Sequence, residues 1–260
     1  MAGTLEGRHA FVTGAGRGIG AAIARALAAE GAALTLAGRN TEALAALAHE
    51  LRERGARIET MALDVTSAES VERAFAQSRV RLGDATVLVN NAGAAESAPF
   101  ARTDDALWQR MLEVNATGAM RCLRAALPGM LAAGWGRVVN VASTAGQKGY
   151  PYVAAYVAAK HALVGLTRAV ALEVATKGIT VNAVCPGFTE TDLLKDSVDN
   201  IVRSTGRSEA DARAELAKSN PQRRFVQPDE VAAAVRWLCS PAAASVTGQS
   251  ISVAGGEVMA

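Results

Sequence analysis

Aromatic side chains are scarce in this 260-residue chain: three Trp, three Tyr and five Phe, or 4% of the residues. Cysteine is scarcer. Cys122, Cys185 and Cys239 are odd in number and far apart, which suits a reducing compartment and excludes a cysteine-rich zinc site. No uninterrupted apolar run reaches the length of about 18 residues that a membrane span needs. The stretch Met1–His9 lacks a basic segment followed by an apolar one, so no signal peptide is expected and the location expected is cytoplasmic. Neither sign of charge dominates. Lys and Arg number 27 against 25 Asp and Glu, a net +2, which argues against a dedicated nucleic-acid binder. Apolar residues are plentiful at 50%, too many for a disordered chain. A chain of this length buries roughly three quarters of its unfolded surface, so it needs no disulfide or structural metal to fold.

Short apolar runs alternate with stretches of helical spacing. The expected strands are His9–Thr13, Ala33–Ala37, Ile58–Leu63, Thr86–Asn90, Arg137–Val141, Thr180–Val184 and Gln249–Val253. The expected helices are Ile19–Glu30, Thr41–Arg54, Ser67–Leu82, one or two over Leu107–Ala133, Tyr152–Lys177 and Val231–Leu238. This alternation predicts an α/β fold: a Rossmann-like, doubly wound parallel sheet of about seven strands in a single domain, residues 1–260. One stretch breaks the rhythm. Gly187–Gln227 is polar, with fourteen charges between Glu190 and Arg224, and its place after a strand suits a substrate lid at about 187–227.

The first strand runs into Thr13-Gly-Ala-Gly-Arg-Gly-Ile-Gly20 and then a helix. Gly14 permits a tight turn, Gly18 lets a pyrophosphate approach the backbone, and Gly20 lets helix pack on strand. The helix N-terminus offers free N–H groups to phosphates. The second strand ends Gly38-Arg39-Asn40, without the carboxylate that binds a ribose 2′-hydroxyl. Arg39, with Arg17 as a second partner, suits a 2′-phosphate instead. NADP(H) is therefore expected over NAD(H).

Tyr156 and Lys160 are spaced i, i+4 within an expected helix and so share a face. A nearby ammonium lowers a tyrosine pKa, which makes an acid–base pair. Ser143 follows the fifth strand and Asn90-Asn-Ala-Gly93 the fourth, at the edge where such sheets bind ligands. Together with Asp64-Val65, Asn115, Tyr156-Val-Ala-Ala-Lys160 and Val181-Asn-Ala-Val-Cys-Pro-Gly187, these motifs make the whole chain resemble the short-chain dehydrogenase/reductase family.

That resemblance implies roles. Tyr156 would be the acid in ketone reduction and the base in alcohol oxidation. Lys160 would bind the nicotinamide ribose and lower the tyrosine pKa. Ser143 would hydrogen-bond the substrate oxygen, and Asn115 would support a water-linked proton relay. Gly14, Arg17, Gly18, Ile19, Gly20 and Arg39 would face the phosphates; Asp64 and Val65 would hold the adenine. Asn91 and Gly93 would line the cofactor cleft, while Pro186, Gly187, Thr189 and Thr191 would cover the nicotinamide. No metal is implied, and no His/Cys cluster offers one a site.

Within the family the chain most resembles bacterial reductases of 3-oxoacyl thioesters and hydroxyacyl-CoA dehydrogenases. Gly136–Gly146, Ala158–Glu173 and Val181–Leu193 are also similar to aromatic polyketide ketoreductases. Those carry Pro-Gly-Gly soon after the Asn-Asn-Ala-Gly motif, where this chain has Ala94-Ala-Glu-Ser-Ala-Pro-Phe100. The expected reaction is therefore ketone–alcohol interconversion on a 3-oxoacyl or 3-hydroxyacyl thioester. The alternatives are a free hydroxy acid or alcohol such as 3-hydroxybutyrate, a polyketide, and a non-catalytic nucleotide sensor. The intact Ser143–Tyr156–Lys160 set argues against the sensor. In the lid, Leu193, Leu194, Val198 and Ile201 would wall an acyl chain, and Arg203, Arg207, Arg223 and Arg224 would meet the phosphates of coenzyme A or a carrier arm, the alternative being that they pair with the seven carboxylates of the same stretch. The resemblance also implies a homotetramer, assembled through the two long helices read at Leu107–Ala133 and Tyr152–Lys177. Nucleic-acid and membrane partners are not expected.

Overall fold

The computed structural model describes residues 3–259. Seven parallel strands form one sheet: β1 (His9–Thr13), β2 (Ala33–Gly38), β3 (Ile58–Ala62), β4 (Val87–Asn90), β5 (Gly136–Val141), β6 (Ile179–Pro186) and β7 (Ser250–Val253). Their order is β3-β2-β1-β4-β5-β6-β7. The crossover from β3 to β4 changes the direction of winding. β1 and β4 are paired neighbours on either side of it, and the chain leaves their carboxyl ends toward helices on opposite faces of the sheet, which opens a crevice there.

Each central strand is buried on both faces, so its sequence reads as a continuous apolar run. In β1 the period of two sends Ala10 and Val12 to one face and Phe11 to the other. Helices α1 (Gly18–Ala29), α2 (Thr41–Glu53) and α9 (Pro228–Cys239) cover the first face. The second is covered by α3 (Ala68–Leu82), α5 (Gly118–Ala133) and α6 (Ala154–Val174), and there Phe11 stacks on Phe75 with ring centroids 4.0 Å apart. Small residues let α1 and strand ends approach closely: a Cβ on Gly20 would stand 2.2 Å from the Gly14 carbonyl oxygen.

The Leu107–Ala133 stretch is two helices, α4 (Asp105–Leu112) and α5, joined by a π turn over Glu113–Thr117. The long helix expected from Tyr152 begins at Ala154, because Tyr152 has φ +66°, outside the helical region. Within 187–227 two further helices form, α7 (Asp192–Thr205) and α8 (Glu209–Ala217). Leu194, Val198, Ala212 and Phe225 give this excursion a small core of its own. Its base is pinched by backbone bonds from Val226 to Phe188 and from Glu190 to Val226, both 2.9 Å.

A buried polar chain crosses β1 and β2. The Nδ1–H of His9 donates to the Gly83 carbonyl at 2.8 Å, so Nε2 accepts from the Thr35 hydroxyl at 3.0 Å. Thr35 can then accept from Ser78 at 2.6 Å. Burial pushes the His9 pKa below its ordinary 6.5, against bonds to the Gly83 and Asp84 backbone and the Asp84 charge; Arg57 adds to the fall. The fold therefore favours neutral His9. Its contribution is complete above pH 6.5 and is lost as pH falls below that value, where the unfolded chain takes up the proton first. Urea unfolding of wild type and His9→Gln between pH 7.5 and 5 should show a steeper loss of stability in wild type. Parallel curves would contradict the assignment.

Candidate active site

The carboxyl ends of β1, β2, β4, β5 and β6 open into one cleft of about 1800 Å³. All eighteen residues singled out for a role, from Gly14 to Thr191, line it.

At one end lies the glycine turn. α1 has Arg17 at its N-cap position with no side-chain cap and no acidic residue in its first turn, whereas α2, α3, α4 and α8 are capped by Asn40, Ser67, Asp104 and Ser208. Its first N–H groups are left for a ligand anion, which fits a dinucleotide pyrophosphate. Asn91 holds the turn in place, its Nδ2 donating to the Thr13 and Gly14 carbonyls at 3.1 Å each. The Thr13 hydroxyl accepts from the backbone of Asn91 and Ala92, both 3.0 Å.

Arg39 stands exposed where β2 ends. The carboxyl of Asp64 is held below its ordinary pKa, first by the Thr66 hydroxyl and backbone N–H and further by the Arg39 charge. Arg17 is not free. It pairs with Asp192 at the start of α7 at 3.0 Å, with both side chains mostly exposed.

At the other end lie Ser143, Tyr156 and Lys160. Ser143 caps a short 3₁₀ turn, its Oγ accepting from the Ala145 N–H at 3.0 Å. Lys160 is buried, and its Nζ donates to the Val141 carbonyl at 3.0 Å. Desolvation lowers its pKa to about 8. Tyr156 moves the other way: burial raises its pKa, while the Ser143 hydroxyl opposes the rise. The ammonium is turned toward Val141 and lies 5.6 Å from the Tyr156 ring centroid, and desolvation dominates.

Asn115 sits in the π turn. Its Nδ2 donates to the carbonyls of Ala94 (2.8 Å) and Met111 (3.0 Å), and its Oδ1 accepts from the Ala94 N–H at 3.3 Å. Its amide is therefore committed to shaping the loop after β4, which leaves its main-chain atoms for any relay. A Cβ on Gly93 would lie 2.8 Å from Asn115 Oδ1 and 3.6 Å from Lys160 Nζ.

The excursion closes one side of the cleft with Leu193, Leu194 and Ile201; Val198 instead turns into the local core. The four arginines divide. Arg207 lines the cleft, whereas Arg203, Arg223 and Arg224 do not. Arg224 is bound bidentately to Glu230, both contacts 2.7 Å, which removes it as a phosphate anchor. His161 is exposed and bonds the Val157 carbonyl, a helix-surface role. No cluster of three metal-ligating side chains occurs among the described residues, and none of their helices is long and apolar enough to cross a membrane.

Sequence reasoning missed the hydrogen-bonded set Thr144, Lys148, Tyr150 and Glu257 beside the cleft. It also missed the buried chain Asn90–Asn140–Thr167, with contacts of 2.9 and 2.8 Å, which fastens β4, β5 and α6. The one available signal was polar residues at apolar strand positions.

Residues 8–202 match the short chain dehydrogenase family. The chain is 38% identical to the D-beta-hydroxybutyrate dehydrogenase of Cupriavidus necator over 98% of its own length and 99% of that protein's. It is also 38% identical to the 3-oxoacyl-[acyl-carrier-protein] reductase of Vibrio harveyi, with the same coverage. Among solved structures, a single-residue variant of actinorhodin polyketide ketoreductase with NADPH superposes with a TM-score of 0.93. The two are 41% identical, over 99% of each chain.

Lys160→Ala should lose at least about a hundredfold in kcat/KM, in the range of general acid–base groups. In wild type, kcat/KM for the cofactor should fall as pH rises through about 8, where the free enzyme's Lys160 loses its proton. Near-normal turnover in the variant, or a profile flat to pH 10, would remove Lys160 from the chemistry.

Proposed function

This chain belongs to the short-chain dehydrogenase family and is an NAD(P)-dependent oxidoreductase acting on CH–OH groups, and from that premise we propose that it interconverts 3-oxoacyl and 3-hydroxyacyl thioesters. We infer further that it prefers NADP(H). The observation that carries the thioester reading is the lining of the cleft. With Ser143 and Tyr156 it includes a first set of apolar side chains, Leu193, Leu194 and Ile201 of α7, and a second set of exposed arginines, Arg102 and Arg207. An acyl chain suits the first set and an anionic carrier arm the second. In this reading 187–227 is the substrate lid, and the domain is one catalytic unit.

The chemistry divides among the chain's own groups. A bound nicotinamide supplies or accepts the hydride. Ser143 Oγ accepts from the Ala145 N–H, and its proton, which faces the Tyr156 hydroxyl, would turn to the substrate oxygen. Tyr156, with its pKa raised by burial, holds a proton to give that oxygen during reduction. Lys160 spends one N–H on Val141 and keeps two for ribose hydroxyls. Asp64 and Val65 would hold the adenine, and Pro186, Gly187, Thr189 and Thr191 would cover the nicotinamide; all six line the cleft.

A second reading, a free 3-hydroxy acid as substrate, is favoured by the equal likeness to the hydroxybutyrate dehydrogenase and by the loss of Arg223 and Arg224 as anchors. Acetoacetyl-CoA and acetoacetate compared under NADPH separate the two. A clear kcat/KM advantage for the thioester, shrinking in Arg102→Ala/Arg207→Ala, supports the first. Equal use of the free acid puts the second ahead.

For the cofactor, Arg39 is the phosphate partner, and Arg17 is shared with Asp192. Arg39→Asp should weaken NADP(H) binding by roughly 1.5–3 kcal/mol, the worth of a charge-assisted contact, and move preference toward NAD(H). Wild type that already prefers NAD(H) would overturn this.

We propose a homotetramer assembled through α5 and α6; the exposure of Leu131 (44%) and Leu172 (82%) on those helices supports it. Sedimentation equilibrium should find no stable monomer at micromolar concentration.

A further inference from the structure

Glu257 is an oddity for a carboxylate: its side chain is only 1% exposed. Oε1 accepts from the Tyr150 hydroxyl at 2.6 Å and pairs with Lys148 Nζ at 3.1 Å. Having given its one proton to Glu257, the Tyr150 hydroxyl accepts from Thr144 at 2.6 Å. Lys148 also lies 4.8 Å from the Tyr150 ring centroid. Oε2 is buried with no partner and faces Gly187, where a Cβ would stand 3.0 Å away.

These contacts join three separate parts of the cleft wall. Thr144 adjoins Ser143. Tyr150 lines the cleft and meets Phe188 edge-on, with centroids 6.3 Å apart. Gly187 belongs to the turn expected to cover the nicotinamide. The segment that carries Glu257 reaches this point through Gly255 and Gly256, at φ +60° and +92°. Gly255 is wedged so tightly against Asn220, near the end of the excursion, that a Cβ would fall 2.1 Å from its Oδ1. A buried carboxylate with one unpaired oxygen is a poor choice if packing is all that is needed, since apolar side chains hold such places at lower cost.

We propose that Glu257 is a positioning residue for ketone reduction: through Tyr150 and Thr144 it fixes the Ser143 loop and the substrate wall against the turn at Gly187. It acts on the ketone end of the cleft and not on the nucleotide end, because every partner belongs to the former. A displacement of about 1 Å there is enough to cost a large factor in rate.

The inference rests on ketone turnover at this cleft, not on which ketone is natural. The test uses whichever ketone wild type reduces with NADPH, so failure of the thioester reading shows in wild type and failure of the clamp only in variants. Glu257→Ala, Tyr150→Phe and the double variant are compared, each checked by thermal melting. Each single change should lower kcat/KM for the ketone by about tenfold or more, with KM for NADPH within about twofold of wild type. The double variant should be no worse than the worse single, as groups acting through one chain are not additive. Wild-type kcat/KM in the singles, an equal rise in KM for NADPH, or losses that multiply would each overturn the proposal. Tyr150→Phe keeps the ring and its packing, so it decides the matter alone if Glu257→Ala does not fold.

Discussion

A single ammonium group in the interior sets the terms for the rest of the site. Lys160 has almost no contact with solvent, and an unpaired charge there would cost several kcal/mol. The end of β5 meets that cost with the Val141 carbonyl at 3.0 Å. For that bond to form, α6 must lie close over the strand end. The close approach is visible at Gly146, where a Cβ would stand 2.8 Å from the Lys160 carbonyl oxygen. On the opposite side, Gly93 and the π turn leave room beside Nζ. Small residues such as Gly146 are what let α6 lie close enough for Nζ to reach the Val141 carbonyl.

The cleft divides electrically as well as spatially. Its nucleotide end offers uncapped N–H groups and the guanidinium of Arg39. Its ketone end holds neutral hydroxyls, a protonated phenol and one buried cation. Arg17 spans the boundary: it begins the phosphate-facing helix, yet its charge is tied to Asp192 on α7. A phosphate drawing on Arg17 therefore competes with the contact that holds the start of α7.

The strands were legible because burial on both faces leaves an unmistakable apolar run, and β1 matches its expected range residue for residue; their order comes from the structure. Most of the motif residues were legible because they sit just beyond a strand end, and Tyr156 and Lys160 because of their i, i+4 helical spacing; all line one cleft. The π turn was not legible. It is set by where Asn115 finds Ala94 and Met111, a tertiary matter that periodicity does not carry. The start of α6 shifted for a similar reason: the Tyr152 carbonyl accepts from Ala98 at 2.8 Å, in a conformation no helix shares. The arginines of the excursion misled because composition gives charge without partners, and Arg224 had Glu230 six residues away. Glu257 stayed hidden because Tyr150 lies 107 residues from it in sequence.

That separation has a consequence for how the molecule is made. β1 and β4 meet once about ninety residues exist, and the turn of glycines gains Asn91 at the same stage. β7 instead docks on β6 across a gap that contains both helices of the excursion. A growing chain therefore carries both sides of the glycine turn long before it can hold Ser143 and Gly187 in register. During that interval the first half of the sheet already has its own strand pairs, while the parts that meet around Ser143 have still to be brought together across long stretches of sequence.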